Sequence, residues 1–250
     1  MSYKDESARV NRWICTAMEK GLLELHLYAP NLGTCVNITR SLLIRSNTLV
    51  KLTISGHFDI RVSNHMFFPA LRSLSLMVLL DFSRYPQIIQ ACPVLEELTI
   101  RDGDFPDMLP ICGGIVVEHA SLKRLVIVTP LPDGIDYNLL SEYFEYARQT
   151  VRFRVPSLVC LDYSSFVFKN YEVDDLDSLV EARLSLKLWW SVSHFDFDDD
   201  YYYDDYGSFY HGYRRPPIFG DVTCLVVAIR NITTLHLSPD SLEVSPSVLY

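Results

Sequence analysis

The residues best suited to chemistry in this sequence are clustered aspartates, seven histidines and six cysteines. The run Asp196-x-Asp198-x-Asp200 resembles the start of a calcium-binding loop, in which alternating carboxylates coordinate the ion. Such a loop needs glycine at its sixth position and glutamate at its twelfth, but Tyr201 and Gly207 stand there. We therefore predict no dedicated metal site in this run.

The histidines and cysteines form no recognisable metal-binding or catalytic pattern. The sequence contains no H-E-x-x-H, no C-x-x-C, no G-x-S-x-G and no glycine-rich phosphate loop. The N-terminus has no apolar signal region, so a reducing compartment and free cysteines are expected. Cys160 and Cys224 lie in apolar runs and are predicted to be small core residues. We predict no catalytic residue, no metal, no cofactor and no enzymatic activity.

The overall charge restricts the class of partner. The 250 residues carry 31 acidic and 22 basic side chains, a formal net charge of −9. This charge disfavours nucleic acid and anionic membranes as partners. The longest apolar run, Cys224 to Ile229, has six residues, whereas a membrane span needs about 18. We expect a protein of the cytoplasm or nucleus with no membrane partner.

Much of the negative charge lies in an insertion at residues 191–221, where seven Asp and two Arg give a net charge of −5. Such a run is typical of a solvated low-complexity loop, and its aromatic content also suits a loop that binds a basic partner. Trp190 is either a core residue or an exposed anchor. The candidate loop residues are Trp190, Asp198, Asp199, Asp200, Tyr201, Tyr202 and Tyr203.

The elements that position these residues follow from an internal repeat. The pattern L-x-x-L-x-L, with Ile, Tyr or Ala at some anchors, begins at residues 22, 49, 71, 95, 122, 158, 179 and 232. Five of the seven intervals (27, 22, 24, 27, 36, 21 and 53 residues) lie in the range of about 20–29 residues typical of leucine-rich repeats. Eight copies in one chain predict a leucine-rich-repeat solenoid.

In this α/β fold each repeat contributes one strand to a curved parallel sheet, and helices and loops cover the outer side. We predict about eight repeats in a domain of residues 22–250, preceded by an N-terminal capping segment of residues 1–21. Apolar spacing predicts helical returns at Ile38–Ser46 and Phe82–Ala91. The longer interval near residues 137–150 has room for an extra helix or loop.

If the strands stack in order, the side chains between the anchors form columns across one face of the sheet. The candidate protein-binding residues on this face are His26, Lys51, Thr53, Glu97, Thr99, Arg124, Asp162, Arg183 and His236. Neighbouring positions hold the opposite-charge pairs Glu24 with Lys51, Glu97 with Arg124, and Asp162 with Arg183. Each pair either forms a cross-strand contact worth about 0.2–1 kcal/mol or stays solvated.

Several sequence blocks that accompany the repeats are distinctive. They are Arg12-Trp13-Ile14 with Ala17, Ser46-Asn47-Thr48-Leu49-Val50-Lys51-Leu52, Phe68-Pro69-Ala70-Leu71, Ala91-Cys92-Pro93-Val94-Leu95-Glu96-Glu97-Leu98, Val155-Pro156-Ser157-Leu158 and Ser178-Leu179-Val180-Glu181-Ala182. In these blocks the chain resembles the repeat region of plant F-box/LRR-repeat proteins of the FBD type. The resemblance runs from about residue 10 to 240.

The resemblance implies the substrate-recognition part of a cullin-RING (SCF) ubiquitin ligase adaptor. In this family the F-box binds a Skp-type adaptor and the repeats hold the target protein. Only twelve residues precede Trp13 and thirteen follow Leu237, so the F-box and the FBD domain are expected to be missing. A Skp-type partner is expected only if an F-box lies upstream. The alternative is a repeat-only interaction scaffold or decoy without a ligase role.

Overall fold

The computed structural model describes residues 3–29, 36–38, 47–60, 66–78, 80, 84–101, 114–129, 149–174, 176–187 and 220–244. Within these ranges there are thirteen strands and four helices. The helices are α1 (Tyr3–Glu19), α2 (Tyr85–Gln90), α3 (Thr223–Ala228) and α4 (Pro239–Val244). The strands are β1 (Glu24–Ala29), β2 (Val36–Ile38), β3 (Lys51–Gly56), β4 (Phe58–Ile60), β5 (Ser73–Met77), β6 (Glu97–Arg101), β7 (Val116–Glu118), β8 (Arg124–Val128), β9 (Thr150–Arg154), β10 (Cys160–Phe166), β11 (Asn170–Val173), β12 (Glu181–Lys187) and β13 (Thr234–Leu237).

The eight repeat strands form one parallel sheet in the order β1-β3-β5-β6-β8-β10-β12-β13. The middle anchor of each repeat is in register with that of the next, as Leu52 with Leu74 and Leu98 with Leu125. This order and register confirm the predicted leucine-rich-repeat solenoid of the α/β class. The register also fixes which side chains share a column, so every exposed position can be compared from strand to strand.

A recurring pair of hydrogen bonds joins each repeat to the next at the start of its strand. The carbonyl oxygen of Leu23 accepts the N–H groups of Val50 and Lys51 at 2.7 and 3.1 Å. The same two-donor pattern follows at six further steps, with the acceptors Val50, Arg72, Glu96, Lys123, Val159 and Val180. Because one carbonyl anchors two amides, the backbone at each strand start is fixed relative to its neighbour.

The anchors pack into a core that runs behind the sheet. Alternate residues of each strand point to it, so Leu98 and Ile100 of β6 are buried while Glu97 and Arg101 are exposed. A second parallel sheet with the order β11-β9-β7 lies across this core. Phe153 of β9 meets Tyr163 of β10 edge to face at 5.6 Å between ring centroids. The two sheets therefore share one apolar layer.

The second sheet was not predicted. Its strands β7, β9 and β11 lie in the outer returns, where helices and loops were expected. A shorter parallel pair, β2 with β4, forms in the earlier returns. Thr150 accordingly begins β9 and does not end an extra helix. The extended returns pair with one another as parallel strands, which satisfies their backbone hydrogen bonds on the outer side.

The predicted helical returns have mixed outcomes. The return at Phe82–Ala91 is confirmed from Tyr85 to Gln90 as α2, whose inner face buries Tyr85, Ile88 and Ile89. Ile38, the first residue of the other predicted helix, lies in β2. Residues 39–46 of that prediction, and 137–148 of the predicted extra element, lie outside the described residues.

Different elements close the two ends of the repeat array. Helix α1 precedes β1 and buries Ile14 against the core. At the other end no residue of β13 is buried, and its anchors Leu235 and Leu237 are 48% and 43% exposed. Helix α4 packs on β12 beyond the last strand pair, where Ser241 Oγ accepts the Leu186 N–H at 2.8 Å and donates to the Leu184 carbonyl at 3.0 Å. Ser241 thus replaces strand pairing at that point.

The described cysteines at positions 15, 92, 160 and 224 are free thiols. Burial raises the pKa of Cys92 to about 12, so this thiol stays protonated. The prediction that Cys224 is a core residue was wrong, because Val222 and Leu225 turn to the core and Cys224 lies on the outer side of α3. The same prediction was wrong for Cys160, which is half-buried at an outward position of β10 because the neighbouring Leu161 points to the core. No helix in the described part of the chain is long and apolar enough to cross a membrane.

Candidate protein-binding face

The open face is the side of the eight-stranded sheet that points away from the core. It carries the outward residues of every repeat strand, and all nine predicted binding residues lie on it. Lys51 and Thr53 come from β3, Glu97 and Thr99 from β6, and Arg124 from β8. The other four extend the face to its edges: His26 on β1, Asp162 on β10, Arg183 on β12 and His236 on β13.

The three predicted charge pairs are register neighbours, but their charged groups contact other residues. Glu24 stands opposite Lys51, yet its carboxylate lies 3.5 Å from His26 Nε2 on its own strand. Glu97 stands opposite Arg124, yet it accepts a hydrogen bond from Ser73 Oγ at 3.1 Å. Within the described residues neither Lys51 nor Arg124 has an ion-pair partner within 4.0 Å.

Arg183, of the third predicted charge pair, also contacts a residue other than its predicted partner. It stands opposite Asp162 in register, but its Nε donates to Glu181 Oε1 at 2.8 Å. His236 Nε2 lies 3.5 Å from the same carboxylate oxygen. The hydrogen bond from Arg183 lowers the pKa of Glu181, and that carboxylate in turn raises the pKa of Arg183. Charges in this part of the face are therefore compensated locally.

A second charge cluster lies where the strands begin. Glu96 accepts hydrogen bonds from Arg72 on one side and from Lys123 Nζ, at 3.0 Å, on the other. These three residues come from consecutive repeats. Lys123, with Arg72, lowers the pKa of Glu96. One carboxylate thus holds two cations, and the cluster keeps a net positive charge.

Uncharged hydroxyl groups fill the middle of the open face. Thr53, Ser75 and Thr99 are register neighbours on β3, β5 and β6, and all three are half-buried. Because these hydroxyl side chains are short, the surface is recessed here between the longer charged side chains. A polypeptide lying across the strands could therefore reach hydrogen-bonding groups at the floor of the face.

A depression lies further along the open face, between β8, β10 and β12. Arg124, Asp162, Glu181 and Arg183 surround Cys160, and together they line this shallow depression, which is open to solvent. Within the described residues no group of three or more histidine, cysteine or carboxylate side chains could hold a metal ion. The open face carries exposed charged side chains and half-buried hydroxyl groups.

Sequence reasoning missed the charged residues of the second sheet. Arg152 Nε donates to Glu172 Oε2 at 2.6 Å, and Arg152 Nη1 lies 3.9 Å from Glu118 Oε1. Arg154 adds contacts to Glu118 at 3.4 Å and to Asp174 at 3.5 Å. The alternation of apolar and charged residues in 151–154 was a usable signal for this sheet.

The predicted loop residues form the other part of the candidate site. Trp190, Asp198, Asp199, Asp200, Tyr201, Tyr202 and Tyr203 all lie outside the described residues. The structure describes the chain again from Gly220, where Asp221 accepts the Thr223 N–H at 2.9 Å at the start of α3. The role of the loop stays a prediction.

Comparison with known proteins gives related sequences in Arabidopsis thaliana. An F-box/LRR-repeat protein is 51% identical over 248 residues, covering 96% of this chain and 48% of the relative. A putative F-box protein is 44% identical over 248 residues, covering 96% and 50%. Another F-box/LRR-repeat protein is 39% identical over 244 residues, covering 95% and 46%. The chain thus spans about half the length of the curated relatives it matches. No family model and no solved structure matches it.

Proposed function

Because this chain is related over nearly its whole length to plant F-box/LRR-repeat proteins, we propose that it is a protein-binding scaffold whose open face holds a target protein. We further propose that it is the substrate-recognition part of an F-box-type ubiquitin ligase adaptor. Binding, and not catalysis, is its proposed activity, and the cytoplasm or nucleus its proposed location.

The observation that carries this proposal is the continuous register of the eight-stranded sheet. Seven strand intervals of about 4.8 Å make the open face about 34 Å wide. That width accommodates about ten residues of extended polypeptide. The face is lined by polar and charged side chains on every strand, which suits a hydrated protein partner.

The ligase role rests on the family relationship. In F-box proteins of this kind the F-box contacts a Skp-type adaptor, and the repeats present the target. Co-precipitation from plant cells, with an epitope tag added at the native locus, tests this part. Recovery of a Skp-type adaptor is the expected result. A tagged protein that binds partners but recovers no adaptor would favour the repeat-only scaffold or decoy.

The position of the binding surface can be tested separately. A photo-crosslinking amino acid at Thr53 or Thr99 places the probe on the open face, and the same group at Asn170 is the matched control on β11. We expect the two open-face positions to capture the same protein and Asn170 not to capture it. The abundance of that protein should fall when the tagged chain is overexpressed. Equal capture from all three positions would contradict the assignment of the surface.

A further inference from the structure

The four strands β3, β5, β6 and β8 carry most of the positive charge along the open face, and Glu24 of β1 borders them opposite Lys51. The cationic half, which we define as the outward residues of β3, β5, β6 and β8 with those at their strand starts, carries five cations and two carboxylates. These are Lys51, Arg72, Arg101, Lys123 and Arg124 against Glu96 and Glu97. The resulting net charge of +3 stands in a chain whose total is −9.

Three cations of this half are available to a partner. Lys51, Arg101 and Arg124 are exposed, and none has an ion pair within 4.0 Å among the described residues. Arg72 and Lys123, by contrast, share the Glu96 carboxylate. Glu181 acts electrostatically on Arg124, but from beyond ion-pair distance, so no described carboxylate contacts the guanidinium. An exposed cation with no carboxylate in contact can attract a carboxylate of another chain.

Glu97 is the group that could have neutralised Arg124. Its carboxylate accepts the Ser73 hydroxyl on β5, on the side away from β8. The Ser73 hydroxyl therefore helps to leave the Arg124 guanidinium open. The half of the face beyond β8 differs, because Arg183 and His236 both lie against Glu181 there.

From these charges we propose that the cationic half binds an extended segment of the target protein that is rich in aspartate and glutamate. This inference rests on the proposed function and names the chemical class of the bound segment. The hydroxyl groups of Thr53, Ser75 and Thr99 form the floor, and carboxylates of the segment pair with Lys51 and Arg124.

The spacing of the two cations specifies the sequence of the segment. Lys51 and Arg124 share one column and lie three strand intervals apart, a distance of about 14 Å. Four residues of extended chain span about 13 Å and return the side chain to the same face. Two acidic residues separated by three others therefore match the two cations.

The same spacing argues against a phosphorylated residue as the principal ligand. A phosphate group concentrates its charge at one point and is bound most tightly where several cations converge on it. Here Lys51 and Arg124 are too far apart to contact a single phosphate. Separate carboxylates fit the two positions better.

Fluorescence anisotropy with synthetic peptides tests the proposal. The probe is a labelled Ser/Thr/Gly peptide of about twelve extended residues with two glutamates separated by three residues. A peptide of the same composition with adjacent glutamates, and one with lysines in place of the glutamates, are the controls. We expect the spaced acidic peptide to bind more tightly than either control, and its binding to weaken as salt rises from about 50 to about 300 mM.

Protein variants locate the binding. The double variant Lys51→Ser with Arg124→Ser should weaken binding of the spaced peptide about tenfold, as expected when interfacial charge pairs are lost. The matched control is Lys20→Ser with Arg230→Ser, which removes two exposed cations outside the sheet. Equal losses in both double variants, or no preference for the spaced peptide, would overturn the proposal.

Two further measurements separate the remaining outcomes. A variant lacking residues 193–213 removes most of the acidic insertion of this chain. If the peptide binds only after this deletion, the insertion occupies the surface and the proposed target segment is wrong. Co-precipitation of the Skp-type adaptor with the Lys51→Ser, Arg124→Ser variant tests the ligase role independently, because the proposal assigns Lys51 and Arg124 to the target segment and not to the adaptor.

Discussion

The two main sheets of this protein use their charged residues in opposite ways. On β9 each arginine lies between carboxylates of neighbouring strands, as Arg152 does between Glu118 and Glu172. On the open face Lys51 and Arg124 stand next to carboxylates in register without contacting them. Both sheets are parallel and share one core, so the difference lies in side-chain pairing alone. The arginines of β9 are paired across strands, whereas Lys51 and Arg124 of the first sheet have no ion-pair partner within 4.0 Å among the described residues.

The largest expected effect comes from the core that both sheets share. Replacing Phe153 with Ala removes a fully buried ring and its contact with Tyr163. We expect the free energy of unfolding to fall by about 3–5 kcal/mol, as for other buried Phe to Ala changes. Urea denaturation followed by circular dichroism measures the loss. Val126→Ala on the open face is the control, and an equal loss there would contradict a common core behind both sheets.

A smaller effect is expected from the charge network of the second sheet. Arg152→Met keeps much of the side-chain stem but leaves the carboxylates of Glu118 and Glu172 without their shared cation. We expect a lower urea midpoint, with a difference from wild type that shrinks as salt increases. Lys169→Met, an exposed change beside β11, is the control. A difference that does not change with salt would contradict the assignment of the stabilisation to the charge of Arg152.

The same network predicts a dependence on pH. The hydrogen bond from Arg152 lowers the pKa of Glu172 below its ordinary value. Its contribution to stability is therefore present above about pH 4.3, the ordinary glutamate value, and is lost as pH falls through the lowered value. NMR titration of the Glu172 carboxyl carbon measures this shift. In Arg152→Met the pKa should return toward the ordinary value, and an unchanged pKa would exclude Arg152 as the cause.

The smallest effect on stability is expected on the open face itself. Lys51→Ser and Arg124→Ser remove cations that have no ion-pair partner among the described residues, so thermal unfolding should match wild type within measurement error. The two changes should nevertheless reduce binding of an acidic peptide. A clear loss of stability would mean that these cations support the fold, and the contrast between the sheets would disappear.

The repeat strands could be predicted because their signal is local and recurs. Leu98 and Leu125 occupy equivalent places in a short motif, and stacking equivalent motifs fixes their register. The second sheet carries no such motif, since β7 has only three residues and pairs with β9 across a long gap in sequence. The alternation in residues 151–154 marks β9 as a strand, but its pairing with β7 and β11 follows only from the first sheet, which places the returns side by side.

The columns of the open face were predictable, but the contacts within them were not. Register placed Glu97 beside Arg124, as expected. The choice of the Ser73 hydroxyl as the hydrogen-bond donor depends on side-chain rotamers, which have no signature in the sequence. The same reason explains why Arg183 contacts Glu181 and not Asp162.

The Ser241 hydroxyl also has a consequence for self-association. An exposed strand edge with free N–H and C=O groups is a template on which another chain can add a strand. Beyond the end of β13, the Leu186 amide and the Leu184 carbonyl of β12 are both occupied by Ser241 Oγ. One serine on a six-residue helix thus removes part of the edge on which copies of the protein could polymerise.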